Sequence, residues 1–253
     1  MPSNPHLAAP RRAAVVASLA ALAILLAASP LTAAARIAEA RDGHLLGIDV
    51  SRWQGTITWR SVKGAGVHFT IAKATEAQTW VDPQYARNRR LADARGLLFG
   101  AYHFAQPDRS TNDAIREADH FVRTAALLPR HLVPVLDLEV HNGLGPKALV
   151  NWTKAWLKRV ESRLGVKPMI YTSPSFWKDR LGNSSWFADN GYRLWIAHWR
   201  AQNPTVPAAN WGGRGWTIWQ VSDCGSVPGI KGCVDIDLYR GLNMSGLTIR
   251  RNR

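Results

Sequence analysis

The chain has 253 residues, 46% of them apolar, enough for one large core or two small ones. Its 32 Lys and Arg against 18 Asp and Glu give a formal charge of +14, which favours a polyanionic partner such as nucleic acid, anionic lipid or a bacterial envelope polymer. The basic residues are scattered, apart from Arg87-Asn88-Arg89-Arg90 and the end Arg250-Arg251-Asn252-Arg253, and no nucleic-acid-binding motif is present, so a generally basic surface explains the charge as well as a specific patch does.

Residues 1–42 read as a signal peptide and short leader. Arg11-Arg12 supply the positive region, Ala13 to Ala28 an apolar stretch short for a membrane span, and Ala33-Ala34-Ala35 a cleavage site. A twin-arginine signal and an uncleaved anchor are the alternatives. Without this segment 28 basic residues face 16 acidic ones, about +12. Residues 43–243 read as one domain, and 244–253 as a basic tail, frayed or loosely packed.

Eight apolar, strand-like runs follow in the domain: Leu45–Ser51, Val67–Ala74, Leu97–Ala105, Leu132–Val140, Pro168–Ser173, Arg193–Trp199, Trp216–Ser222 and Cys233–Tyr239. Helical patterns lie between the early ones, at Trp59–Gly64, Pro83–Arg95, Asn112–Leu128, Pro146–Leu164 and Phe176–Leu181. Alternation of buried strands with helices predicts a parallel sheet. Eight strands predict an α/β fold of the β/α-barrel kind that lacks its last helices; an open doubly wound sheet is the alternative.

The fourth run, Leu132-Val133-Pro134-Val135-Leu136-Asp137-Leu138-Glu139-Val140, carries two acids in apolar surroundings. Residues two apart on a strand share a face, so Asp137 and Glu139 project together from backbones roughly 6.6 Å apart. Unpaired charges are costly to bury, and two acids in one space cannot ionise equally. One raised carboxyl is what general acid chemistry near neutral pH needs. A salt-bridged pair at a strand end is the plainer reading.

Barrel chemistry sits at strand ends, and polar residues gather there. They are Asp49 and Ser51 in the first run, Lys73, Thr75 and Glu76 at the end of the second, and Tyr102 and His103 in the third. Tyr171 lies in the fifth, Trp195 and His198 in the sixth, Trp219 and Gln220 in the seventh, Asp235 and Asp237 in the eighth. His103 alone reads better as a hydrogen-bonded core histidine. Of the twelve Trp residues, Trp53, Trp80, Trp195, Trp199, Trp216 and Trp219 lie near strand ends, where flat rings suit sugar faces. Trp152 and Trp156, on one helix stripe, read as core. Carboxylates beside aromatics suit glycoside hydrolysis. Cys224 and Cys233 read as a disulfide in an exported protein; free thiols or a metal pair are the alternatives.

The segments Gly47-Ile48-Asp49-Val50-Ser51-Arg52-Trp53-Gln54-Gly55, Gly100-Ala101-Tyr102-His103-Phe104-Ala105, Asp137-Leu138-Glu139, Ile170-Tyr171-Thr172-Ser173, Leu194-Trp195-Ile196-Ala197, Trp219-Gln220 and Val234-Asp235-Ile236-Asp237 resemble glycoside hydrolase family 25, the muramidase-type lysozymes, from about Leu46 to Leu242. The resemblance implies an irregular TIM-like β/α barrel of eight strands and about five helices. It implies Glu139 as general acid, with Asp137, Asp49 and Asp235 as accompanying carboxylates. Tyr102, Tyr171, Trp195, Trp219, Gln220 and Asp237 are the expected substrate-binding residues. The bond cleaved would run from N-acetylmuramic acid to N-acetylglucosamine, β-1,4, with retention. The strand spacing of the acids leaves three routes open, an attacking carboxylate, a water between the carboxyls, and the substrate's own N-acetyl group, of which the last is favoured. Ala77 stands where the family usually has Gly. Asp237 stands where it often has Asn, which leaves open whether Asp235 or Asp237 faces the cleft.

The expected partners are bacterial peptidoglycan and its anionic polymers, met by a secreted monomer at the cell wall. Neither nucleic acid nor a stable membrane contact is expected after signal removal, and no metal or organic cofactor is implied. A chitinase-like glycosidase and a non-catalytic wall-binding protein are the competing functions.

Overall fold

The computed structural model describes residues 43–110 and 112–250. The export signal read over residues 1–42 lies outside the described residues. A sheet runs through the domain in the order β1 (His44–Val50), β9 (Val234–Arg240), β8 (Ile218–Gly225), β7 (Arg193–Ala197), β6 (Met169–Thr172), β5 (Val135–Asp137), β4 (Leu98–Phe104), β2 (Phe69–Glu76), β3 (Trp80–Val81). Pairing of β1 with β2 closes the eight main strands into a barrel, and β3 folds back on β2 as a flap at the rim. Around it pack α1 (Trp59–Gly64), α2 (Tyr85–Asp93), α3 (Asp113–Ala125), α4 (Pro146–Leu164), α5 (Pro174–Arg180) and α6 (Trp186–Asp189). The eight expected strands and five expected helices are present. The short α6 adds to them, as does one left-handed turn, Pro207–Gly212, in which Ala208 to Trp211 have φ between 51° and 55°.

Local sequence accounts for the element ends. Pro174 opens α5 behind Ser173, whose hydroxyl accepts from the Phe176 N–H at 3.3 Å. Pro146 opens α4, and Gly165 closes it at φ 68, a left-handed C-cap. Ala114, Ala118, Phe121 and Ala125 form the buried stripe of α3.

Alternation along each strand makes two apolar layers. Ile48, Phe99, Leu136, Ile170, Leu194, Ile196, Ile236 and Leu238 face the helices. Phe69, Ile71, Val135, Met169, Tyr171, Trp195 and Ile218 fill the barrel. Gly47, on β1, lies against Phe69, and a Cβ there would overlap the ring.

Two expectations are corrected. The sheet is not wholly parallel: β9 pairs antiparallel with both β1 and β8. The connection from β8 to β9 is too short for a crossover helix, so the chain turns back as a hairpin, closed by the Cys224–Cys233 disulfide. Nor is the chain loose between Asn243 and Arg250, the last of the described residues. Met244, Leu247 and Ile249 are buried, Val133 N–H donates to Leu247 O at 2.9 Å, and Arg130 N–H to Ile249 O at 2.8 Å. This segment plugs the barrel floor, because an open barrel end would leave Phe69 and Leu132 wet.

Candidate active site

The opposite end of the barrel is a cleft of about 270 Å³ lined by Asp49, Asp137, Glu139, Asp235, Tyr102 and Tyr171, with Lys73, Trp53, Trp195, Trp199, Gln220 and Asp223 among its walls. Four carboxylates named from the sequence thus meet in one space. The strands explain how. Asp49 ends β1 on its inward face, and Asp137 ends β5. Glu139 lies two residues beyond, where Leu138 N–H still donates to Tyr171 O at 3.0 Å and keeps the chain extended. Because β9 runs backward, its beginning rather than its end reaches the rim. Asp235 therefore sits at the mouth, in register with Asp49, and Asp237 lies one layer deeper, fully buried.

The stretch after β1 is a built corner. Ser51 and Gln54 form a capping box on the turn Arg52–Gln54: Trp53 N–H donates to Ser51 Oγ, and Ser51 N–H to Gln54 Oε1 at 2.9 Å. Gly55 follows at φ 57. Gln54 Nε2 also reaches Cys233 O, tying the corner to the disulfide loop. Trp53 is thereby held 77% exposed at the lip, with the Arg52 guanidinium 4.6 Å from its ring centre.

Gln220 organises one wall. Tyr171 O–H and Trp199 Nε1 both donate to its Oε1, at 2.9 and 2.7 Å, and its Nε2 donates to Asp49 Oδ2 at 2.7 Å. Trp195 Nε1 donates to Asp237 Oδ1 at 2.9 Å, and its ring meets Tyr171 edge-on. Opposite, Lys73 pairs with Glu76 at 2.7 Å and lies 4.4 Å from the Phe104 ring centre.

Burial is the first cause of every acid shift here. It raises Asp137, and the adjacent Glu139 raises it further. Glu139, open at the lip but flanked by protein, is raised by desolvation, against a hydrogen bond with Asp137 and the Lys73 charge. Asp49 is raised by burial, then by Asp235 and Asp237. Asp235 reaches about 7. Tyr102 and Tyr171 are raised by burial and by the acids around them. Such a cleft holds protons at neutral pH that ordinary carboxylates would have lost.

The remaining sequence-named residues fall elsewhere. Trp219 neighbours Gln220 on β8, so it points to the helix side, where its Nε1 donates to His198 O. Trp216 stacks on His44. His103 is a core residue, bonded to Thr75 and Glu117, and Trp152 and Trp156 are core too. The sequence places Lys73, Trp53 and Trp199 near strand ends without counting them among the expected site residues, and it misses Asp223 altogether. Lys73 had a signal, since it shares the inward parity of Phe69 and Ile71. Asp223 had none: it reaches the cleft only because β8 bulges beyond Gln220.

The sequence profile of glycosyl hydrolases family 25 matches residues 48–230. The chain belongs to this family. Lysozyme M1 of Streptomyces globisporus is 36% identical over 85% of this chain and 74% of its own length. The N,O-diacetylmuramidase of Chalaropsis sp is 32% identical over 75% of this chain and 95% of its own. Among solved structures, the lysozyme of Streptomyces coelicolor superposes with a TM-score of 0.74 at 35% identity, covering 80% of this chain and 94% of that one. The family GH25 lysozyme of Aspergillus fumigatus gives 0.72 at 30% identity, over 81% and 97%. The family membership agrees with the resemblance read from the sequence, and with the barrel.

Proposed function

We propose that the chain is a secreted muramidase that hydrolyses the β-1,4 bond from N-acetylmuramic acid to N-acetylglucosamine in peptidoglycan. One observation carries the reading: a wet-edged cleft in which proton-retaining carboxyls stand beside exposed aromatic faces. The names of the related lysozymes and muramidases support the substrate class.

In this reading Trp53 and Trp199, 77% and 42% exposed, receive the apolar faces of sugar rings. Asp137 and Glu139 share a proton in the empty cleft. When substrate binds, its acetamido N–H bonds to Asp137, and the proton settles on Glu139. Glu139 donates it to the leaving glycosidic oxygen as the C1–O bond breaks. The acetamido carbonyl oxygen attacks C1 with its electron pair and forms a cyclic oxazolinium, one of the alternatives to a carboxylate nucleophile. Asp137 steadies the positive charge on its nitrogen. Water then adds to C1 from the other face, the C1–O bond of the oxazolinium breaks and its electron pair restores the acetamido carbonyl, and the water gives its proton to Glu139, which restores the acid with retention of configuration. Lys73, between Glu76 and the acid pair, limits how far those carboxyls rise. The export signal read from residues 1–42 fits action at a cell wall, and the +14 charge fits its anionic polymers.

Purified peptidoglycan and purified chitin separate the readings. We expect new muramic-acid reducing ends from the wall and none from chitin. Equal release from chitin would favour a chitinase-like enzyme. Binding to the wall without any release would favour a non-catalytic wall protein.

A further inference from the structure

Asp237 is the most deeply buried of the carboxyls that the reaction above leaves unused. It is entirely buried, one layer beneath Asp235. Its Oδ1 accepts from Trp195 Nε1. Its Oδ2 is enclosed with no amide, hydroxyl or ring N–H to bond. Asp49 stands directly opposite Asp235 and diagonal to Asp237 across the β1–β9 pair, which makes its carboxyl the hydrogen-bonding neighbour of both. Two ionised carboxylates repel at such range; a hydrogen bond between them requires a proton.

Gln220 identifies the oxygen that carries it. An indole N–H only donates, so the Gln220 atom facing Trp199 is the amide oxygen, and the amide NH₂ faces Asp49 Oδ2. Asp49 Oδ2 is thus an acceptor, and Oδ1 is left for the proton. We infer that Asp237 is a positioning residue that makes Asp49 keep its proton near neutral pH, by accepting a hydrogen bond from it at the barrel centre. The consequence for catalysis rests on the hydrolase reading; the shared proton does not.

The surroundings agree from every side. Acting on Asp49 are Asp235 and Asp237 of β9, Asp137 of β5 and the Gln220 amide of β8. Acting on Asp237 are Asp235, Asp49 and the Trp195 N–H of β7. Asp223 and Glu139 act on Asp235. The cation of the cleft, Lys73, acts on Asp137 and Glu139 instead. Burial disfavours charge on all three stacked acids. An Asn at 237 would reverse the contact. Its oxygen would keep the Trp195 bond, while its NH₂ would offer Asp49 a second donor and favour the ionised form.

The test is Asp237→Asn, followed by carboxyl ¹³C NMR titration and by the pH profile of wall lysis. We expect the Asp49 midpoint to fall by about one pH unit or more. The alkaline limb of lysis, which belongs to the Asp137 and Glu139 pair, should stay where it is, so the Asp49 midpoint is the readout that a purely structural role would not move. An Asp49 resonance that titrates at the same pH in parent and variant overturns the inference. If the variant does not fold, the parent decides alone: coupled titration of Asp49 and Asp237 supports the shared proton, and independent titration at ordinary carboxylate values refutes it. A parent that fails to lyse wall would sink the hydrolase reading while the NMR result still judges the proton.

Discussion

Replacing Glu139 by Gln removes the proposed acid at small structural cost. The side chain lies at the open lip, and the substitution preserves its shape. Surface changes of this kind stay within about 0.5 kcal/mol, so Tm should move by no more than about 2 °C. Wall binding should hold within about threefold, because the aromatic faces and the Gln220 wall are untouched. The rate should not. General acid assistance is worth about 10²–10⁴-fold, so a loss near 10³, or about 4 kcal/mol of barrier, is expected. A second effect follows from the pair. Asp137 Oδ1 is buried with no N–H donor, its hydrogen-bond partner being Glu139. A Gln amide at 139 would donate to Asp137 in place of the shared proton and let it ionise. The residual activity should therefore lose the parent's alkaline limb. Turbidity loss and reducing-end release from purified wall measure rate, and co-sedimentation measures binding. Lysis by the variant within a few-fold of the parent would refute the assignment of the acid.

Stability offers four further tests. Ala77 sits at φ 51 in the β2–β3 turn, where its N–H still donates to Phe104 O. Ala77→Gly should relieve about 1–2 kcal/mol of left-handed strain against about 0.5–1 kcal/mol of added chain entropy, a net gain of about 0.5–1 kcal/mol in denaturant midpoint measurements. Gly47→Ala should cost at least about 1–3 kcal/mol, seen as a lower Tm, because Phe69 has no room to yield. Replacing both Cys224 and Cys233 by Ser should cost about 2–3 kcal/mol for so short a loop, and should slow lysis, since Asp223 and Asp235 flank the bridge. Glu117, buried against His103, is pushed up to about 8, and Asp235 to about 7. Above pH 6.5 the unfolded carboxylates have already lost their protons and the unfolded histidines are largely neutral. The folded chain still binds protons that the unfolded one does not, so stability falls as pH rises toward 8. One such proton is worth about 1.4 kcal/mol per pH unit, so Tm should drop by at least about 4 °C between pH 6.5 and 8. A flat Tm over that range would contradict the buried-acid arrangement.

Much of this was legible in the amino-acid order. Apolar runs long enough to be buried on both faces announced the barrel. Acids inside two of those runs announced its chemistry, because no strand core tolerates them without a purpose. Parity could have gone further. Trp195 and Gln220 share the inward parity of their strands, and Trp219 is one residue off it, which puts it on the helix side. Chain direction was harder to read, since an alternating strand looks the same run either way. The clue was the loop before β9, bounded by two cysteines and too short for a helix. The floor plug, Met244 to Ile249, hid among polar neighbours and is recognisable only once the barrel end it covers is known.

The reversal of β9 does more than close the sheet. In an antiparallel pair, residues in register stand side by side at about 4.5–5.5 Å between Cα atoms. Asp49 and Asp235 are such a pair, and both face inward at the rim. A parallel β9 would have brought its other end to the mouth and left Asp235 deep in the barrel. On the facing wall, Asp137 and Glu139 meet by a different route, two apart along one extended chain. The barrel thus makes two acid pairs, one across strands and one along a strand, and buries enough of each that ionising both members is unfavourable. The charge of the cleft at neutral pH is then set by the packing around the acids rather than by their number, and a substitution beneath the rim, at Asp237, can retune it without touching the surface that a sugar chain would meet.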